Sequence, residues 1–374
     1  MTRAASHRRF SLDSPPLVLD GGFSTQCEAL GADLSIGKLW SARLINDDPD
    51  LVARVHRSFL DNGADLISTA SYQATLRGLV AAGSTPSAAA ATLRRSVEIA
   101  VTVRDAWWSE RTPAARAGRE RPLVGASIGS YGAFLGNGAE YTGAYGELGG
   151  DPLRALVAFH REQAAILAAT GADLLMWETV PCAVEARAIV ALLQDEALDI
   201  DAATLTFCCR DGAALASGES IIDAVVAADL VSAAPAALVA LGVNCTPPRF
   251  IAPLLAALRS ATTLPLIAYA NSGETWVSPG DADGVAASGS SGWHGADGAT
   301  AETYAALARG WLASGDVCVV GGCCRTTPEH TRLLRAAVDE RVRVVATAAA
   351  AAAGGGDGDA GEESGGVVVV VEAV

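Results

Sequence analysis

Short runs of uninterrupted apolar residues recur along the chain. Each is followed by a stretch in which apolar residues return every three or four positions. The runs are Leu17–Gly22, Asp65–Tyr72, Leu123–Gly129, Asp173–Thr179, Ala203–Cys209, Leu241–Cys245, Pro265–Asn271 and Val317–Cys324. Continuous apolar runs of this length suit strands buried on both faces. Between them, Pro49–Asn62 sets Leu51, Val55, Phe59 and Leu60 near one helical face, with Gly63 as C-cap. Leu153–Thr170 does the same with Leu156, Phe159, Ile166 and Leu167. Residues 87–108, 182–194, 218–230, 248–260, 299–314 and 327–339 fill the other helical slots. Gly-Ala-Asp closes two of these helices, at 63–65 and 171–173, and reads as one helix-to-strand turn used twice. Eight strand–helix units predict an α/β fold, a single (β/α)8 TIM barrel over residues 15–345. A doubly wound open sheet is the alternative, but its edges would need covering.

Two segments stand outside that rhythm. Val277–Thr300 is rich in Gly, Ser and Asp and predicts a long mobile loop. Residues 346–374 form a low-complexity C-terminal tail, an Ala run followed by a Gly/Asp/Glu run, and read as disordered. Residues 1–14 carry Arg3, Arg8 and Arg9 with no apolar segment behind them, and are taken as a short leader of no secretory type.

Composition narrows the functional classes. The 374 residues carry 27 Lys plus Arg against 42 Asp plus Glu, a net charge of −15. A nucleic-acid role is therefore not expected, because no basic surplus exists to displace counterions. Half the residues are hydrophobic and the mean hydropathy is +0.29, ample for a core. No apolar run is long enough for a transmembrane helix, so no membrane role is expected and the expected location is the cytoplasm. Eight cysteines are too sparse for a disulfide scaffold.

In a barrel of this kind chemistry sits at the C-terminal ends of the strands. Polar residues gather there: Asp20, Tyr72, Ser127, Glu178, Cys208, Asn244, Cys245, Asn271, Cys323 and Cys324. Cys245 ends the sixth strand, and the vicinal Cys323 and Cys324 end the eighth. On one closed rim these three thiolates can converge on a single Zn²⁺, leaving the open fourth position of a catalytic site. Gly321 and Gly322 are expected to let the backbone come close to that metal. Cys27, Cys182, Cys208, Cys209 and Cys318 read as small core residues. No dinucleotide, P-loop or His-Glu-X-X-His pattern is present.

The chain resembles the homocysteine S-methyltransferases, and within them the branch that uses S-methylmethionine or S-adenosylmethionine. The resemblance spans roughly residues 17 to 340. It is carried by Leu19-Asp-Gly-Gly-Phe-Ser-Thr-Gln26, Leu39-Trp-Ser-Ala42, Thr69-Ala-Ser-Tyr-Gln-Ala-Thr75, Ala126-Ser-Ile-Gly-Ser-Tyr-Gly132, Trp177-Glu-Thr-Val-Pro181, Gly242-Val-Asn-Cys245, Tyr269-Ala-Asn-Ser-Gly-Glu274 and Gly321-Gly-Cys-Cys-Arg325. The family's Tyr-Pro-Asn on strand seven is Tyr-Ala-Asn here.

The resemblance implies methyl transfer from a sulfonium donor to the thiol of homocysteine, giving methionine. One Zn²⁺ per chain would be held by Cys245, Cys323 and Cys324, with the homocysteine sulfur as fourth ligand. Glu178 would hold the homocysteine ammonium, with Asp20 and the Gly21–Gly22 backbone beside it. Tyr72 matches a position from which the family's tyrosine approaches the metal in the absence of homocysteine, or else walls the donor pocket. Asn244, Asn271 and Glu274 would shape the site, and Trp40, Tyr131 and Phe23 are weaker candidates for cation–π contact with the donor. The partners would be small molecules alone. Methylation of selenocysteine or another thiol on the same zinc site, and a non-catalytic zinc-stabilised barrel, are the alternatives.

Overall fold

A computed structural model of the chain describes residues 8–34, 39–231, 234–277, 292–294 and 298–354. Eight parallel strands form the barrel: β1 Leu17–Val18, β2 Leu66–Ser68, β3 Leu123–Gly129, β4 Leu174–Val180, β5 Ala203–Phe207, β6 Leu238–Asn244, β7 Leu266–Ala270 and β8 Val317–Gly322. The hydrogen-bonded order runs β1-β8-β7-β6-β5-β4-β3-β2. A parallel bridge between Leu19 and Leu66 joins β1 to β2 and closes the ring. All eight expected strands are present, because each apolar run is buried on both its inner and its outer face.

Two buried clusters correspond to those faces. The smaller fills the barrel with Leu17, Leu66, Leu123, Leu174, Met176 and Val319 among others. Gly125 on β3 makes room for Met176, whose Sδ would lie 2.1 Å from a Cβ there. The larger cluster lies between the strands and the surrounding helices, which include Pro49–Asp61, Pro86–Glu110, Pro152–Ala168, Ala183–Leu193, Ile251–Ala261 and Ala301–Ala313. Several start on a side-chain cap followed by proline: Asp48 accepts from Leu51 N and Asp151 from Arg154 N.

The repeated Gly-Ala-Asp is half of what the pattern suggested. Gly63 takes a φ of +99°, but Gly171 is not left-handed. The aspartates do share a role. Asp65 accepts the N–H of Val18 at 3.0 Å, and Asp173 that of Val124 at 2.8 Å, so each pins the start of the preceding strand.

Three boundaries differ from expectation. Within the segment set aside as a leader, Phe10 is 1% exposed and packs into the barrel cluster, and Arg9 donates to the carbonyl of Arg121. The last helix, Pro328–Gly354, continues through the Ala run that was read as disordered, in keeping with alanine's helix propensity. The stretch after β7 opens and closes on a short antiparallel pair, Thr275–Val277 with Gly292–His294. Residues 278–291, 295–297 and 355–374 lie outside the described residues. Among the described residues, no helix is long and apolar enough to cross a membrane.

Candidate metal centre

Strands β6 and β8 both border β7, so their C-terminal ends stand one strand apart. Cys245 follows β6, and Cys323 and Cys324 follow β8. Their three sulfurs lie within 4.8 Å of one another, and those of Cys245 and Cys324 are 3.4 Å apart. Zn²⁺ with tetrahedral bonds of about 2.3 Å separates its sulfurs by about 3.8 Å, so the cluster fits the ion with little adjustment. Cys245 is buried and takes a φ of +46°, a left-handed conformation uncommon outside glycine. Its N–H donates to the Tyr269 carbonyl, and Asn271 Nδ2 donates to its carbonyl at 3.2 Å. Asn271 therefore fixes the backbone of one thiol.

The thiols divide sharply. Hydrogen bonds from Cys323, Cys324 and Tyr141 hold the Cys245 thiol well below its ordinary value, the proton remaining on its partners. Burial pushes Cys27 and Cys182 up to about 12, and raises Cys209 and Cys318 as well. Those four stay protonated and fill space, as expected. Cys208 is also buried and raised, but its sulfur lies 3.8 Å from the Cys245 carbonyl, against the back of the cluster.

The glycines before the cysteines are required by close packing. A Cβ on Gly321 would meet Leu19 at 2.6 Å, and one on Gly322 would meet Thr326 Oγ1 at 2.2 Å. The first loop shares this crowding. A Cβ on Gly22 would stand 2.9 Å from the Cys323 carbonyl, and the Gly22 N–H is taken up by Thr326 at 3.2 Å. A Cβ on Gly21 would meet Phe59 and Thr326, each at 2.9 Å.

The strand-end carboxylates lie on the same rim. Asp20 is not the N-cap of the helix Phe23–Ala29, whose cap residue Gly22 makes no side-chain bond. It reaches across to β2 and accepts from Ser68 N at 2.8 Å and Ser68 Oγ at 3.0 Å. Burial raises its carboxyl well above the usual range, and nearby Glu178 adds to the rise. Glu178 makes no salt bridge among the described residues. It accepts from Ser127 Oγ and, at 3.2 Å, from Tyr269 OH, and burial pushes it up to about 7.

Asn244 braces this wall. Its Oδ1 accepts from Thr179 N at 2.7 Å and Thr206 Oγ1 at 2.9 Å, while Nδ2 donates to Thr179 Oγ1 at 2.8 Å. The same Nδ2 lies 3.9 Å from Cys323 Sγ. Thr179, beside Glu178, has a φ of +62°, an outlier for a β-branched residue that Asn244 holds on both sides.

The tyrosine at the cluster is Tyr141, not Tyr72. Tyr141 OH lies 3.4 Å from Cys245 Sγ. Tyr72 is half-buried beside Thr179, and its hydroxyl is raised by burial and by the charges of Glu140, Cys245 and Glu178, so it stands within reach of the same groups. Tyr141 and its neighbour Glu140 sit in the loop after β3 and escaped the sequence reading. Tyr131 packs among Phe134, Tyr145 and Phe159. Phe23 packs at a tilt against His56, Glu274 pairs with Arg325 at 2.8 Å, and the Trp40 side chain lies outside the described residues. His56 and His160 are both fully buried core residues.

A family model described as "Homocysteine S-methyltransferase" matches residues 17–338. The chain belongs to the homocysteine S-methyltransferase family. It is 38% identical over 330 residues to homocysteine S-methyltransferase 3 of Arabidopsis thaliana, covering 86% of this chain and 90% of that one. It is 40% identical over 325 residues to the selenocysteine methyltransferase of Astragalus bisulcatus, covering 84% and 90%. The metallated form of the homocysteine methyltransferase MmuM from Escherichia coli superposes with a TM-score of 0.70 at 33% identity, covering 86% of this chain and 96% of that one. The chain is thus a methyltransferase whose reaction is methylation of the homocysteine thiol. Its three-cysteine cluster is suited to a metal.

Proposed function

We propose that the enzyme is zinc-dependent and moves a methyl group from a sulfonium amino acid, S-methylmethionine in the first instance, to homocysteine. The observation that carries this reading is the convergence of three cysteine sulfurs within 4.8 Å on the rim that also bears Asp20 and Glu178. Cys245, Cys323 and Cys324 would hold one Zn²⁺, which when bound supplies a Lewis acid that keeps a coordinated thiol deprotonated near neutral pH. A free alkyl thiol is mostly protonated there, and the thiolate is the nucleophile.

The chain's own residues position the reactants. Glu178, with Asp20 beside it, receives the homocysteine ammonium; the gain is large because both carboxylates are buried and have no cationic partner among the described residues. Asn244 and Asn271 hold the cysteine and Glu178 backbones in register, and Tyr72 lines the cavity. The thiol proton leaves to solvent before transfer. The thiolate then forms the new S–C bond while the donor's S–C bond breaks, and that electron pair returns to the sulfonium sulfur. The leaving group is a neutral thioether, so no strong general acid is required, and alignment of the two sulfurs about the methyl group supplies much of the rate.

Likeness to a selenocysteine methyltransferase supports a selenol as a second acceptor on the same site. The test is methionine formation by purified zinc-loaded protein from homocysteine with S-methylmethionine, S-adenosylmethionine or betaine in turn. Methionine from a sulfonium donor is expected; none from any donor, or turnover only with betaine, contradicts the reading.

A further inference from the structure

Both proposed substrates are amino acids, and each carries an ammonium into a buried cavity. A charge taken out of water needs a partner there. Among the described residues, three carboxylates on this rim are buried without a cation: Asp20, Glu178 and Glu140. The first two lie in each other's field on β1 and β4, with oxygens already engaged by Ser68, Ser127 and Tyr269.

Glu140 stands apart from them. It precedes Tyr141, whose hydroxyl reaches Cys245, and its own charge is felt by Tyr72 and Cys208 across the cavity. It is 9% exposed, and its Oε2 is buried with no hydrogen-bond partner among the described residues. The loop that carries it is fixed. Gly132 packs so closely that a Cβ would lie 2.3 Å from Glu140 N. Fully buried Glu185 accepts from Tyr131 N at 2.6 Å and from Tyr145 OH, tying down both ends. A buried acid on a fixed loop with one oxygen unused is a binding group in search of a cation.

We propose that Glu140 is the subsite for the ammonium of the sulfonium donor, leaving the Asp20–Glu178 pair to homocysteine. This rests on the sulfonium reading above. In-line transfer supports it: the leaving sulfur lies on the far side of the methyl group from the attacking thiolate, so the two ammonium groups fall on different walls. Burial lifts the Glu140 carboxyl to about 7, and an arriving ammonium restores its charge.

The test uses the full-length enzyme, S-methylmethionine and its des-amino analogue 4-(dimethylsulfonio)butanoate, with calorimetric Kd values and steady-state KM. Wild type is expected to bind the amino donor about tenfold or more tightly than the analogue, the scale of a charge-assisted hydrogen bond. Glu140→Gln should lose that preference, binding the amino donor about tenfold more weakly and the analogue as before, with the homocysteine KM within about twofold. Glu140→Asp, which keeps the charge, should retain part of the preference and serves if the glutamine variant does not fold. Equal weakening toward both donors, an unchanged preference, or a raised homocysteine KM overturns the assignment. Failure of wild type to use any sulfonium sinks the underlying reading, which is a different result from turnover that ignores Glu140.

Discussion

At the N-terminal end of the barrel, Asp65 meets Arg119 at 2.5 Å and Arg335 at 2.6 Å, and Asp173 meets Arg104 at 2.7 Å. At the C-terminal end, Asp20, Glu178 and Glu140 have hydroxyls and N–H groups for company but no arginine or lysine among the described residues. Asp173 is 10% exposed at its side chain and the others are buried, both sets bear on strand ends, and both belong to a chain with a net charge of −15. The difference is what neutralises them. The lower carboxylates are complete within the fold and pin β1 and β3. The upper ones are left to be completed by something that arrives with a positive charge, which suits a site for zwitterionic substrates.

That contrast has measurable edges. Removing a lower carboxylate should cost the most. Asp65→Ala strips the partner from two arginines and frees the Val18 N–H, and is expected to lower unfolding free energy by about 3–5 kcal/mol in urea titrations, with kcat of the remaining folded enzyme little changed. A loss of activity without a loss of stability would erase the distinction between the ends.

Next in size is a pH effect confined to the upper end. Glu178 and Glu140 sit at about 7 when folded and ligand-free, above an unfolded value of 4.5. Between those limits the folded protein holds protons that the unfolded chain has released, so each acid makes stability fall as pH rises from about 4.5 to about 7. The full effect approaches about 3 kcal/mol per acid. Comparing wild type with Glu178→Gln at pH 5 and pH 7 isolates one share: the variant should gain relative stability at the higher pH, and no gain contradicts the placement. In activity, Glu178→Gln should reduce kcat/KM for homocysteine about a hundredfold, for loss of a charge-assisted bond in a buried site. Smallest is Tyr141→Phe. Losing one neutral hydrogen bond to Cys245 should raise the thiolate titration of metal-free protein, followed by ultraviolet absorbance, by about one pH unit or less.

The strands and the three cysteines were legible in the sequence for a plain reason. A strand buried on both faces writes itself as an apolar run, and a residue that ends such a run must stand on the rim. Position along the chain then equals position in space. Asp20 and Glu178 were found by the same logic.

Tyr141 and Glu140 were not, because the segment after β3 turns through Gly136 and Gly138, both left-handed, and carries no period. Its place is set by Glu185, far away on another helix, whose contacts cannot be read from local spacing. Tyr72 shows the converse limit: the resemblance left open whether it approaches the metal or walls the donor pocket, and gave no sign of Tyr141, whose hydroxyl lies 3.4 Å from Cys245 Sγ. The packing around Gly321 and Gly322 was not legible for a related reason. Leu19 and Thr326 become their neighbours only once the ring closes.

The claim on which the account turns is that Cys245, Cys323 and Cys324 together hold one zinc and leave a place for the substrate sulfur. X-ray absorption at the zinc edge, on purified protein with and without homocysteine, addresses it directly. The expected result is one zinc per chain with three sulfurs at about 2.3 Å, rising to four when homocysteine is added, and loss of the metal in Cys323→Ser. Zinc retained by that variant with activity intact, or a sulfur count that homocysteine leaves unchanged, would contradict it.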